Sequence, residues 1–125
     1  MAWREHLLKE MLDIGRVLRA FQYSLCGIKV AVLSHTSFRQ ELIITVLLVF
    51  CALWIGGDGV EKALLISALT LVLLVELVNS AIETIVDRIG IENNELSKKA
   101  KDLGSAAVLI SLVNVVVVWG LIVFD

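Results

Sequence analysis

The sequence predicts an all-α membrane protein: one domain, residues 1–125, with an N-terminal amphipathic surface helix followed by three transmembrane helices. Three observations lead there. The chain has 125 residues, 58% of them hydrophobic, and a mean hydropathy of +0.89. A soluble domain this short could not bury so much apolar surface, whereas a bilayer accommodates it. There is no proline, so nothing interrupts long helices. Uncharged runs recur at close to the length of a membrane crossing. The net charge of −2 leaves no electrostatic footprint for nucleic acid. Cys26 and Cys51 sit in apolar surroundings without metal-ligand spacing and read as packing or lipid-facing residues rather than a disulfide.

The first helix is expected from about residue 3 to 32. Leu7, Met11, Ile14, Leu18, Phe21, Leu25 and Ile28 step by four and three and share one face. Arg4, Lys9, Asp13, Arg16, Arg19 and Lys29 lie mostly off that stripe. A helix lying in the membrane interface fits this pattern; a helix packed on a partner fits the same spacing. The charged first twenty residues do not read as a cleavable signal peptide.

The second helix, about 39–57, is uncharged from Leu42 to Gly57, with Arg39 and Glu41 at its entrance. Its apolar run is slightly short of the ~20 residues a crossing needs, which snorkelling flanks or local thinning can absorb. Gly56 to Gly59, GGDG, reads as a turn. It is not a phosphate-cradling loop, because no Gly-Lys-Ser/Thr follows. The third helix, about 61–88, carries no ionisable group from Ala63 to Val75 and then the stretch VELVNSAIETIVDRIG. The fourth, about 101–124, is uncharged from Leu103 to Phe124 and is the clearest crossing.

Basic residues set the orientation. Arg4, Lys9, Arg16, Arg19, Lys29 and Arg39 precede the first crossing, and Arg88, Lys98, Lys99 and Lys101 fall between the last two. Only Lys62 lies in the short turn. The positive-inside rule predicts a cytoplasmic N-terminus and a cytoplasmic loop around 88–101.

Glu76, Asn79 and Glu83 are spaced i, i+3, i+7 and share one helical face, which Asp87 extends toward the cytoplasmic end. A charge inside a crossing costs about 2.5–3.5 kcal/mol on insertion scales. Two carboxylates on one face therefore suggest a site, while a polar seam gluing helices is the plainer reading. Asn114 in the last helix suits such a seam. Carboxylates near the basic loop suit a magnesium-bound phosphate. Glu76 lies two turns deeper, where loss of water makes a carboxylate a better proton acceptor. Together these point to phosphoryl transfer onto a lipid hydroxyl. A proton relay or channel would need polar groups to continue through 63–75, where ionisable groups stop.

ELVNSAIETIVDRIG, followed by ELSKKAKDLGSAAVLI, closely resembles the signature of the small prokaryotic integral-membrane diacylglycerol kinase family, in its Gram-negative form. FRQE at Phe38–Glu41 and Arg16…Tyr23-Ser24 also match, so the resemblance runs from about Arg16 to Trp119. The related undecaprenol kinases share the Glu-x-x-Asn-(Ser/Thr)-Ala-Ile-Glu core and are the alternative. A non-catalytic scaffold or transporter is a further one.

The resemblance implies an ATP-dependent kinase that moves the γ-phosphoryl group of MgATP to diacylglycerol, giving phosphatidic acid. It implies a homotrimer in the bacterial inner membrane with active sites shared between subunits. It further implies that Glu76 is the general base, with Asn79 beside it orienting that glutamate or the substrate, and that Glu83 coordinates the metal on the ATP phosphates. Lys101 and Asp102 match nucleotide-contacting positions, and Glu92 and Asn94 fall in the loop over the nucleotide. Arg16, Tyr23 and Ser24 match positions lining the lipid and nucleotide site. Ser105 and Trp119 match lipid-facing substrate positions. For Tyr23, Ser105 and Trp119, plain packing or interface anchoring is an equal reading.

Two residues depart from the family pattern. His35, in LSHTSFRQE, stands where the family usually has a second metal-binding glutamate. Magnesium prefers oxygen donors, so His35 either leaves that position to water or admits a softer ion such as Mn²⁺ or Zn²⁺. Asn94 stands where the family often has histidine, and it can still hydrogen-bond.

Overall fold

The computed structural model describes residues 1–90 and 93–125. Among them lie five helices and no strand: α1 (Ala2–Met11), α2 (Ile14–Ser34), α3 (Thr36–Ile55), α4 (Gly59–Ile89) and α5 (Glu95–Val123). Glu92, expected near the nucleotide, falls outside the described residues.

The single helix expected over about 3–32 is instead two, α1 and α2. The break has a local cause. Asp13 stands at the N-cap of α2, and its Oδ1 accepts the Arg16 backbone N–H at 3.1 Å. That satisfies one of the donors a new helix leaves open and makes a restart at Ile14 favourable. Arg19 Nη2 stands 3.7 Å from Asp13 Oδ2 and reinforces the turn.

One residue separates α2 from α3. His35 is extended, with φ −117° and ψ 108°, and serves as C-cap of the first and N-cap of the second. Arg39 reaches back over this hinge. Its Nη1 donates to the Val32 and Leu33 carbonyls at 3.2 and 3.3 Å, and its Nη2 to Thr36 Oγ1 at 3.3 Å. The open carbonyls at the end of α2 are thus closed by a side chain.

The glycine-rich segment forms the predicted turn between α3 and α4. Asp58 Oδ1 accepts the Glu61 N–H at 2.9 Å, and Glu61 Oε2 accepts the Gly57 N–H at 2.6 Å. This is a reciprocal cap of the Asp-x-x-Glu kind, with the glutamate reaching one residue further back than usual. α5 starts six residues before the expected position of about 101. Asn94 caps it, its Oδ1 accepting from Leu96 N at 2.8 Å and Ser97 N at 3.3 Å.

α4 is the central element. It packs against α5 and α3, and α3 packs against α2. Its buried face carries Leu65, Ala68, Leu69 and Val72, then Glu76, Asn79 and Ser80. Gly104 and Ser111 are the buried residues of α5. α1 buries none of its residues, and α2 only Ala31. Helices α2 to α5 are each long and apolar enough to cross a membrane, and α2 is the least apolar of the four. Large side chains such as Phe50, Trp54, Ile110 and Val116 point outward, as lipid-facing residues do.

Candidate active site

The apolar face of α4 continues, at the same helical spacing, into carboxylates and an amide. Glu76 is 4% exposed and Asn79 7% exposed, while Glu83 is half-buried. Asn79 Nδ2 donates to Glu83 Oε1 at 3.4 Å, the long end of hydrogen-bond geometry. Asn79 Oδ1 and Ser80 Oγ are buried with no hydrogen-bond partner among the described residues. Across the helix interface, the Asn79 amide oxygen occupies the space that a side chain on Gly104 would fill.

The titratable groups acting on Glu76 come from three elements: Glu41 at the start of α3, Glu83 on α4, and His35 at the α2–α3 hinge. Glu41 belongs to the FRQE motif, to which sequence reasoning assigns no role. The available signal is a carboxylate at the mouth of a membrane segment.

Beyond Glu83, the end of α4 and the start of α5 enclose a cleft of about 630 Å³. Asp87, Asn94, Ser97, Lys98, Lys101 and Asp102 are among its lining residues. Three predicted nucleotide residues, Asn94, Lys101 and Asp102, thus come together. Lys101 Nζ donates to Asp87 Oδ1 at 2.7 Å, and Lys98 Nζ to Asp102 Oδ2 at 2.6 Å. Asn94 Oδ1 is committed to capping α5. Asp87 as the partner of Lys101 is not legible in the sequence, since fourteen positions separate the two.

A second groove, about 510 Å³, runs between α2 and α4. Ser24, Ile28, His35, Ser80 and Thr84 line it. Ser24 Oγ donates to the Ala20 carbonyl at 3.0 Å. Arg16 and Tyr23 are exposed on α2, and Ser105 is exposed on α5 beside Gly104. Trp119 is not brought to Glu76. Its Nε1 donates to the Leu65 carbonyl at 3.3 Å. Leu65 precedes Glu76 by three turns, a rise of roughly 16 Å.

Among the described residues, no three His, Cys, Asp or Glu side chains converge closely enough to hold an ion alone. Magnesium at a nucleotide keeps most of its ligands as water and phosphate oxygen and needs only one or two protein carboxylates. Glu83, part-exposed and next to the cleft-bearing end of α4, fits as one such ligand.

This fold and this site define a multi-pass helical membrane protein with carboxylates and an amide set into one helix, next to a cleft lined by paired lysines and carboxylates. Sequence comparison narrows the class. The family described as "Prokaryotic diacylglycerol kinase" matches residues 22–123. A diacylglycerol kinase of Escherichia coli (strain K12) is 45% identical over 110 residues, 88% of this chain and 90% of that protein. One from Haemophilus influenzae is 45% identical over 111 residues, 89% and 94% of the two chains. One from Pseudomonas aeruginosa is 41% identical over 114 residues, 91% and 93%. The chain belongs to the prokaryotic diacylglycerol kinase family, a family of lipid kinases.

Proposed function

We propose that the protein transfers the γ-phosphoryl group of ATP to the primary hydroxyl of diacylglycerol, giving phosphatidic acid and ADP. The observation that carries this reading is the polar face of α4, buried at Glu76 and Asn79 and half-buried at Glu83, leading to the Asp87–Lys101 end of the cleft. Magnitudes oppose the glue reading. Two carboxylates within a crossing cost about 2.5–3.5 kcal/mol each. A side-chain hydrogen bond between membrane helices returns ~0.6, at most about 1.7 kcal/mol. Asn79 alone would be adequate adhesive; the glutamates call for a chemical role.

In this mechanism Glu76 accepts the proton of the lipid hydroxyl as its oxygen attacks the γ-phosphorus. The bond from γ-phosphorus to the bridging oxygen breaks, and ADP carries away that electron pair. Asn79 holds Glu83 through its amide N–H, while its oxygen packs against Gly104 of α5. Lys101 and Asp102 engage the nucleotide from the cleft with Asn94, and Glu92 is assigned a nucleotide contact by resemblance alone. Arg16, Tyr23 and Ser24 border the lipid and nucleotide, and Ser105 and Trp119 contact the lipid. A divalent ion, when bound, neutralises charge on the ATP phosphate oxygens. Glu83 would hold it; His35, at the α2–α3 hinge, either leaves its position to water or, as a nitrogen donor, favours Mn²⁺ or Zn²⁺ over Mg²⁺.

Three subunits assemble in this reading, with α3, α4 and α5 crossing the inner membrane. α1 and α2 lie along the cytoplasmic surface, where the α2 charges Arg16, Arg19 and Lys29 meet headgroups. The distribution of Lys and Arg supports a cytoplasmic N-terminus and a cytoplasmic α4–α5 connection.

The test is radiolabelled ATP with purified protein and either diacylglycerol or undecaprenol, the products separated by thin-layer chromatography. Labelled phosphatidic acid supports the proposal. Label on undecaprenol alone replaces the acceptor, and no labelled lipid removes the kinase reading.

A further inference from the structure

The contact between Gly104 and Asn79 joins two helices at the point where the proposed chemistry takes place. Asn79 Oδ1 is fully buried without a hydrogen-bond partner among the described residues. It lies where a Cβ on Gly104 would project; that Cβ would also fall 3.3 Å from Asn79 Cγ and 3.8 Å from Ile82 Cδ1. The amide cannot turn over to escape. Its other end donates to Glu83 Oε1 at 3.4 Å, and a carboxylate only accepts. A flipped amide would set oxygen against oxygen.

Nor can α5 simply retreat. Lys101, three residues before Gly104, is held to Asp87 of α4 at 2.7 Å. Further along, Trp119 Nε1 is held to the Leu65 carbonyl of α4 at 3.3 Å. Between these pins the buried residues of α5 are Gly104 and Ser111, both small. The helices approach closely there because little side chain intervenes.

We propose that Gly104 is a positioning residue for phosphoryl transfer: its missing side chain lets the Asn79 amide stand against Glu83. The assignment rests on the lipid-kinase reading of the α4 face. A methyl at position 104 would be relieved most easily by rotating Asn79, and that rotation withdraws the amide N–H from Glu83.

The sign of the stability change separates this from ordinary helix packing. Within a helix, alanine is a better former than glycine. Propensity alone therefore makes Gly104→Ala stabilising, whereas the Asn79 contact makes it destabilising. The experiment uses the full chain in lipid nanodiscs as wild type, Gly104→Ala, Asn79→Ala and the double variant. Thermal stability and steady-state kinetics with ATP and diacylglycerol are measured on each.

Gly104→Ala is expected to lower Tm in the wild type and raise it in the Asn79→Ala background. It is expected to cut kcat by roughly ten- to a hundredfold in the wild type, the scale of a misplaced catalytic group. With Asn79 already truncated, the further loss should stay under about twofold. If Gly104→Ala prevents assembly in the wild type, assembly of the double variant supports the contact, and failure of both overturns the proposal. Equal kcat losses in the two backgrounds, or a raised Tm in the wild type, also overturn it. Full turnover by Asn79→Ala removes the positioning role while the Tm coupling still reports the contact. Failure of the lipid-kinase reading is seen separately, as no labelled lipid from the wild type.

Discussion

Lys101 Nζ donates to Asp87 Oδ1 across 2.7 Å and ties the second turn of α5 to the last turn of α4. The two side chains are 45% and 58% exposed. An ion pair so exposed contributes at most about 1 kcal/mol, so its value to the fold is small. Its value to the cleft is larger, since it aims an ammonium at the proposed nucleotide. Asp87→Asn is expected to leave Tm nearly unchanged and to raise KM for ATP severalfold. A large fall in Tm with unaltered KM would make the pair structural instead.

Glu76→Gln and Glu83→Gln keep side-chain volume and remove charge. Each is expected to reduce lipid phosphorylation by at least about a hundredfold, the usual worth of a general base or a charge-neutralising group. Size-exclusion profiles and Tm should not fall, because a membrane carboxylate is costly to bury. Near-normal turnover in Glu76→Gln would assign the proton to another acceptor.

Asn94 accepts two backbone N–H groups at the start of α5. Replacing it with alanine should cost about 1 kcal/mol, the typical loss of an N-cap. Asn94→Asp should restore the stability, which thermal denaturation of the three proteins will read directly. Equal Tm values for all three would show that the cap is dispensable.

How far the sequence reaches is visible in these same residues. The uncharged run Leu103–Phe124 and the spacing of Glu76, Asn79 and Glu83 locate a crossing and the polar face from the amino-acid order alone, because hydropathy and helical period are local properties. The break at Asp13 is harder to read, even though Asp before an apolar stripe is a helix-start signal. The stripe runs through it unbroken, and periodicity outweighs the cap. The early start of α5 is obscured for the opposite reason: the charges of Lys98, Lys99 and Lys101 set the boundary where the apolar run begins, not where the helix does. The partnerships Asp87–Lys101, Asn79–Gly104 and Trp119–Leu65 depend on how α4 and α5 pack. No spacing within either helix encodes them.

Trp119→Phe keeps an apolar ring but removes the indole N–H that reaches the Leu65 carbonyl. The expected cost is about 1 kcal/mol, the net worth of an ordinary hydrogen bond. Thermal denaturation should show that loss with KM for diacylglycerol unchanged, because the phenyl ring keeps the apolar contact with the lipid. A raised KM at constant Tm would show that the indole N–H serves the substrate rather than the Leu65 carbonyl.

His35 sits at the α2–α3 hinge, where the residue conformation is extended and a glutamate can be built without strain. His35→Glu is expected to shift the preference for divalent ions from Mn²⁺ toward Mg²⁺, measured as the ratio of kcat/KM in the two ions. Superimposable ratios for wild type and variant would take His35 out of the ion's surroundings.

The early start of α5 has a mechanical result. From Glu95 to Leu103 the helix runs eight residues before its uncharged part begins, a length of roughly 12 Å. Lys98, Lys101 and Asp102 therefore ride on a stiff mast, which in the proposed topology rises from the bilayer, not on a slack connector. A nucleotide arriving from the aqueous side would meet charges whose height above the oil is already set, so little ordering remains to be done when it docks.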